Sequence, residues 1–261
     1  MRLPLLCAGA AVSFAVLAAL PGYAFAHEDD GPPPPRRNRA PTRDPMEYRS
    51  DQNAALELRL GPYRPRVDEE FANGATPFSD IYGTGQNAMI GLEVDWQAVR
   101  IPHFGTFGPG VGLQFTTFSA NAPFTNRPGL SQQASSLWIL PISALAVLRI
   151  DALHLDFDIP VVPYAKVGLT YALWEARDGG STSLAQDGVE GAGASFGYQW
   201  HAGGMLVLDF FAPQTSVDMD NSTGVNHAYV FWEWMWSDVS SLGRGMQVGT
   251  STWVAGIAIE F

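Results

Sequence analysis

From Ala54 to Phe261 the dominant signal is an alternation of period two. Successive side chains on a strand point to opposite faces, so such a run is a strand with two chemically different sides. Residues 54 to 62 set Leu56, Leu58 and Leu60 against Glu57 and Arg59. Residues 86 to 98 set Ile90, Leu92, Val94 and Trp96 against Gly91, Glu93 and Asp95. Residues 108 to 118 set Val111, Leu113 and Phe115 against Gly112, Gln114 and Thr116. From Ser136 to Arg149 the apolar face holds Trp138, Leu140, Ile142, Ala144, Ala146 and Leu148. Its other face is mixed, with Leu145 and Val147 beside Ser143 and Arg149.

The second half repeats the scheme. Residues 159 to 176 alternate Val161, Pro163, Ala165, Val167, Leu169, Tyr171 and Leu173 with Tyr164, Lys166, Gly168 and Thr170. Residues 193 to 211 alternate Phe196, Tyr198, Trp200, Leu206, Leu208 and Phe210 with Gln199, His201 and Asp209. Residues 225 to 238 set Val230, Trp232, Trp234 and Trp236 against Tyr229, Phe231, Glu233 and Met235. The last strand sets Trp253, Ala255, Ile257, Ile259 and Phe261 against Thr252, Gly256, Ala258 and Glu260. Eight strands result.

Eight two-faced strands fit either a soluble sandwich or lipocalin, apolar face inward, or a transmembrane barrel, apolar face toward lipid. Three features favour lipid. The polar face is rich in Gly, Thr and Gln, and only 16% of the chain is charged, low for a water-soluble domain. Runs of this length can cross a bilayer at a barrel's tilt. The aromatics also sort to strand ends. With both ends of the barrel in the periplasm, Trp138, Trp200, Trp234, Trp236 and Trp253 fall toward the outer rim. Trp96, Phe210 and Phe261 then fall toward the inner rim, giving the two aromatic belts of a membrane barrel. Trp174 does not fit, since its parity turns it to the lumen. Connections 63–85, 119–135 and 177–192 are then outside and long, and 99–107 and 150–158 inside and shorter. The 212–224 and 239–246 connections break that trend.

The amino-terminal segment sets the compartment. Arg2, an apolar run from Leu5 to Leu20 and Ala24-Phe25-Ala26 read as a secretory signal peptide cut after Ala26. The apolar run is too short for a spanning anchor. Cys7 sits inside it, so the mature chain expects neither disulfides nor lipidation. Removing Arg2 leaves 14 Lys and Arg against 26 Asp and Glu, which argues against nucleic acid. Residues 27 to 53 carry Pro32 to Pro35, then Arg36, Arg37, Arg39 and Arg43, a composition for a disordered periplasmic tail. The expected domains are therefore the signal peptide 1–26, the tail 27–53 and the barrel 54–261.

Candidate chemistry is sparse. His27, His103, His154, His201 and His227 form no zinc-binding sequence pattern. His201 and His227 share lumen parity with Asp209 and Glu233, so a histidine–carboxylate pair could serve a lipid hydrolase. No nucleophile elbow accompanies them. A lumen hydrogen-bond network filled by Glu57, Arg59, Glu93, Lys166 and Glu233 is the favoured reading. Asp218-x-Asp220-Asn221-x-x-Gly224 lacks the remaining ligands of a calcium loop and reads as an Asx-bonded turn. No catalytic, cofactor or metal site is expected, and no cofactor.

The aromatic Phe261 after four alternating apolar positions resembles the terminal-strand signal read by the barrel-assembly machinery. Several strand–turn phrases also resemble a family of small outer-membrane β-barrels known mainly from myxobacteria and their relatives. They are Pro163-Tyr164-Ala165-Lys166-Val167-Gly168, Leu208-Asp209-Phe210-Phe211-Ala212-Pro213, Gly224-Val225-Asn226-His227-Ala228-Tyr229-Val230-Phe231 and Gly249-Thr250-Ser251-Thr252-Trp253. The resemblance spans roughly residues 54 to 261 and implies location and fold, with no activity to carry over. The expected protein is an eight-stranded, porin-like but narrow outer-membrane barrel of a Gram-negative cell, monomeric and non-enzymatic. Its partners would be membrane lipid and lipopolysaccharide, with surface loops as the contact face. A lipid-modifying enzyme and a narrow channel are the alternatives.

Overall fold

The computed structural model describes residues 54–123, 130–157, 159–179, 181–184, 190–209 and 225–261. The signal peptide, the Pro/Arg tail, Phe210 and the Asp218–Gly224 turn lie outside the described residues.

Ten strands follow in order: β1 Ala54–Tyr63, β2 Asn87–Trp96, β3 Val99–Ile101, β4 Gly105–Pro123, β5 Leu130–Arg149, β6 Val161–Asp178, β7 Ser181–Thr182, β8 Ala192–Val207, β9 His227–Val239 and β10 Ser251–Glu260. Two short helices, α1 Pro77–Tyr82 and α2 Ala152–Leu155, and a 3-10 turn at Val67–Glu70 complete the described elements. Eight strands build the wall, each antiparallel to its neighbours in chain order, and β1 pairs with β10 to close it. β3 and β7 are short hairpin arms on β4 and β6, additions the alternation did not signal.

Following paired residues from Glu57 through Glu93, Gly112, Ser143, Thr170, Gly197 and Val239 climbs steadily along the wall. The path returns to β1 displaced by about ten residues, the stagger that tilted strands need to close an eight-stranded barrel. Closure leaves no unpaired edge, which lipid would not tolerate.

The faces sort as the alternation requires. Leu169 is 70% exposed and Val111 61%, whereas Lys166 is 2% and Arg59 0%. Outward residues paired across the wall, Leu58, Leu92, Leu113, Ile142 and Tyr171, form a continuous apolar band. Apolar outside and charged inside is the reverse of a water-soluble domain and matches a barrel solvated by lipid.

Several connections are more ordered than their composition suggests. β4 and β5 stay paired from Ser119 opposite Ser136 out to Pro123 opposite Leu130, so much of the expected 119–135 loop is wall. Ser, Thr and Asn read as loop residues, but backbone pairing requires no apolar face. In the 177–192 connection β7 folds back on β6, and Leu184 bridges Glu190. The 63–85 connection contains α1, whose Thr76 N-cap makes no side-chain cap. Asp68 from the 3-10 turn supplies it, accepting the Phe78 N–H at 2.8 Å and the Ser79 N–H at 3.2 Å. That cap seats Phe78 edge-on against Phe118, with centroids 5.1 Å apart. A lid thus covers the end of the barrel farther from Ala54 and Phe261.

Candidate functional site

The lumen carries the polar chemistry of the described residues. Strands β1, β2, β5, β6, β8, β9 and β10 each turn at least one ionisable side chain inward, and these meet in one buried layer. Arg59 donates to Glu57 at 2.7 Å and lies 2.9 Å from Glu93. It also contacts Glu233 and stacks on Phe231 at 5.6 Å. Lys166 donates to Glu57 at 2.7 Å and to Glu93. Arg149 binds Glu260 at 2.6 Å, Asp95 at 2.8 Å and Glu57 at 3.3 Å. Tyr164 donates to Glu233 and Tyr229 to Glu260, each at 2.8 Å.

All five residues expected to fill the lumen are therefore in one network. Asp95, Arg149, Glu260, Tyr164 and Tyr229 are further members that the sequence reading placed on the polar faces without joining them to it. Their parity was visible, but the strand stagger that brings Arg149 on β5 to Glu260 on β10 was not.

Space for these groups comes from their neighbours across the sheet. Gly91 pairs with Arg59, Gly112 with Glu93, Gly110 with Asp95 and Gly203 with Glu233. A methyl group on Gly203 would sit 2.6 Å from the Glu233 Cβ. Large groups opposite glycine let a narrow barrel fill without voids.

The histidines and carboxylates that share lumen parity come together as two pairs. His201 Nδ1 lies 2.7 Å from Glu233, and His227 Nδ1 contacts Asp209. The same His201 Nδ1 also lies 3.0 Å from an Arg59 guanidinium nitrogen, so a carboxylate acceptor and a guanidinium donor meet at one ring nitrogen. His201 Nε2 has no hydrogen-bond partner among the described residues, and the ring is fully enclosed. A hydrolase would need a nucleophile on that nitrogen and a route for substrate. The arrangement offers His201 neither.

Glu57, Glu93 and Asp95 bring carboxylate oxygens close enough to suggest a metal centre. The Lys166 ammonium already occupies that space, bonded to two of them and 3.9 Å from the third. Its fixed charge does there what a cation would do.

Trp174 is also explained. It leans over Gly193, and its Nε1–H donates to Ser195 Oγ at 3.2 Å. It packs on the apolar cluster that fills the lidded half of the lumen, with Phe118, Leu137, Ile139 and Met89. The aromatic belts hold for the described residues. Trp234 pairs with Trp253 and Trp200 with Trp236 toward the lidded end, while Trp96 pairs with Ala54 at the other.

No family model matches the chain, and no curated protein matches it. Among solved structures it is similar to the outer membrane protein OprG from Pseudomonas aeruginosa, at 14% identity and a TM-score of 0.47, covering 82% of this chain and 97% of that one. Neisserial surface protein A matches at 11% identity and 0.41, covering 81% and 98%. The attachment invasion locus protein Ail of Yersinia pestis matches at 10% and 0.38, covering 80% and 97%. At these values the likenesses bear on neither ligand nor activity.

Proposed function

We propose that this chain is an integral outer-membrane β-barrel with a non-enzymatic structural or surface-contact role. The observation that carries the reading is the inverted barrel, an apolar belt outside and an ion-paired layer across the lumen. In this reading Ala54 and Phe261 lie at the periplasmic rim and the lid of 63–85 faces outward. The exposed side chains Phe71, Ile81, Leu184 and Leu242 then belong to the contact surface. The protein is a monomer among lipid and lipopolysaccharide, and the last strand through Phe261 engages the barrel-assembly machinery. Kinship with the myxobacterial-type small barrels rests on the quoted strand–turn phrases alone.

The decisive experiment is electrophoresis of the mature chain refolded in detergent, with and without boiling. A boiling-sensitive mobility is expected, together with recovery in the outer-membrane fraction. A mature chain that stays soluble and monomeric without detergent overturns the reading. Lipid A mass spectra with and without the protein test the enzyme alternative, and identical spectra are expected. Planar bilayers test the channel, with no conductance steps expected because passage would break the ion pairs of Arg59 and Lys166.

A further inference from the structure

A pocket of about 260 Å³ lies at the lidded end, lined by Arg64, Arg66, Asp68, Glu69, Gln86 and Ser251, with Pro65 between the arginines. Strand parity puts it on the outer wall. Arg64 continues the outward series of Leu58 and Leu60 beyond β1, and Ser251 continues that of Trp253 on β10. Asn87 pairs with Tyr63, which brings Gln86 alongside Arg64. Ser251 pairs with Trp236 in the tryptophan belt. The pocket therefore stands at the level where lipid headgroups meet water.

Its charges are unequally committed. Asp68 is taken up by the cap of α1, accepting from the Phe78 and Ser79 N–H groups and from the Ser79 hydroxyl. Glu69 stands mostly in solvent, 3.4 Å from Arg66. A guanidinium carries five N–H donors. Arg64 turns Nη2 to the protein, donating to Ser79 Oγ at 2.7 Å and to Asp68 at 3.5 Å. Arg66 Nη2 donates to the Ser237 carbonyl at 3.2 Å, and its Nε has no hydrogen-bond partner among the described residues. The Trp236 ring holds the Arg66 guanidinium at 5.2 Å, so this group is positioned before any ligand arrives.

We propose that this wall pocket holds a phosphorylated sugar unit of lipopolysaccharide, with Arg64 and Arg66 on the phosphate and Gln86 and Ser251 on the sugar hydroxyls. Planar guanidinium forks match phosphate oxygens, and an amide and a hydroxyl can each donate to and accept from a hydroxyl. One proline among polar groups offers no wall for an acyl chain. The volume is also below the roughly 300–1,000 Å³ of sites that enclose a drug-sized molecule, which suits a single sugar. The site rests on the outer-membrane reading, in which the lid faces the lipopolysaccharide leaflet.

The test titrates the mature chain, refolded in detergent, with purified deep-rough lipopolysaccharide in a calorimeter. Saturable binding is expected, with little from the same lipopolysaccharide after removal of its phosphates. Excess phosphatidylglycerol or inorganic phosphate should not displace it. Arg64→Gln and Arg66→Gln should each weaken binding by about tenfold or more, the loss expected for charge-assisted hydrogen bonds, and Gln86→Ala by less. Boiling-sensitive mobility of every variant separates lost binding from lost fold. A folded wild type without saturable binding overturns the site and leaves the barrel standing, whereas a mature chain soluble without detergent overturns both. The site also fails if either arginine variant, still folded, binds like the wild type. Equal binding of phosphatidylglycerol or free phosphate would show that the pocket does not select a phosphorylated sugar.

Discussion

Lys166 shows what a charge inside this barrel needs. Its ammonium lies between Glu57 and Glu93 and 5.1 Å from the Tyr164 ring, with no solvent contact. Removing one member of a buried pair strands the others, at a typical cost of about 3–5 kcal/mol. Lys166→Met should therefore destabilise the barrel by that order in urea titrations from lipid vesicles. Adding Glu57→Gln and Glu93→Gln should recover part of the loss, because the two carboxylates bonded to Lys166 are then uncharged. A single variant as stable as the wild type would show that the network contributes no stability. Asp151, in the turn after β5, provides a test by pH. Burial, and next the nearby Glu260 carboxylate, raise its pKa above the ordinary aspartate value. A carboxyl with a raised folded pKa holds its proton more tightly in the folded state, so its contribution falls as pH rises through that pKa. Asp151→Asn should then be more stable than the wild type at neutral pH, with the difference vanishing in acid. Urea midpoints at the two pH values check both signs.

At the scale of elements, each strand has two independent demands. Its outward face must match lipid, so Leu113→Arg should cost about 2–4 kcal/mol if that position lies near the midplane. Wild-type stability in vesicles would argue against an apolar environment there. Its inward face must match the side chain across the sheet. Gly203 makes room for Glu233, and Gly256 for Phe231 beneath Arg59. Gly203→Ala should cost about 1–3 kcal/mol by overpacking. Unfolding midpoints compared with Gly85→Ala, where no atom lies within 4 Å of the added methyl, isolate the crowding from the general effect of losing a glycine.

At the scale of the whole molecule, closure joins these strands into one unit. β1 and β10 are paired along six registered positions, and Ala54 and Phe261 exchange two backbone hydrogen bonds of 3.0 and 3.1 Å. A wall without an edge has no strand that can leave at low cost. Unfolding should therefore be all-or-none, with tryptophan fluorescence and loss of boiling-sensitive mobility following the same denaturant curve. Separated curves would indicate that part of the wall opens first.

The alternation of Leu58 with Glu57 and Arg59, repeated seven times, determined the strand number, the face of each side chain and the inverted polarity. Period two needs only the local geometry of a strand, so no partner has to be known. The same parity placed His201, His227, Asp209 and Glu233 on the lumen face, and the structure paired His201 with Glu233 and His227 with Asp209. Only the tertiary structure decided which charges meet, because the stagger around the barrel brings Arg149 to Glu260 across 111 residues of sequence. It likewise decided that Asp68 caps α1 and that β4 and β5 outrun their apolar faces. Those features depend on distances between strands and turns, which register and closure set and local sequence pattern does not.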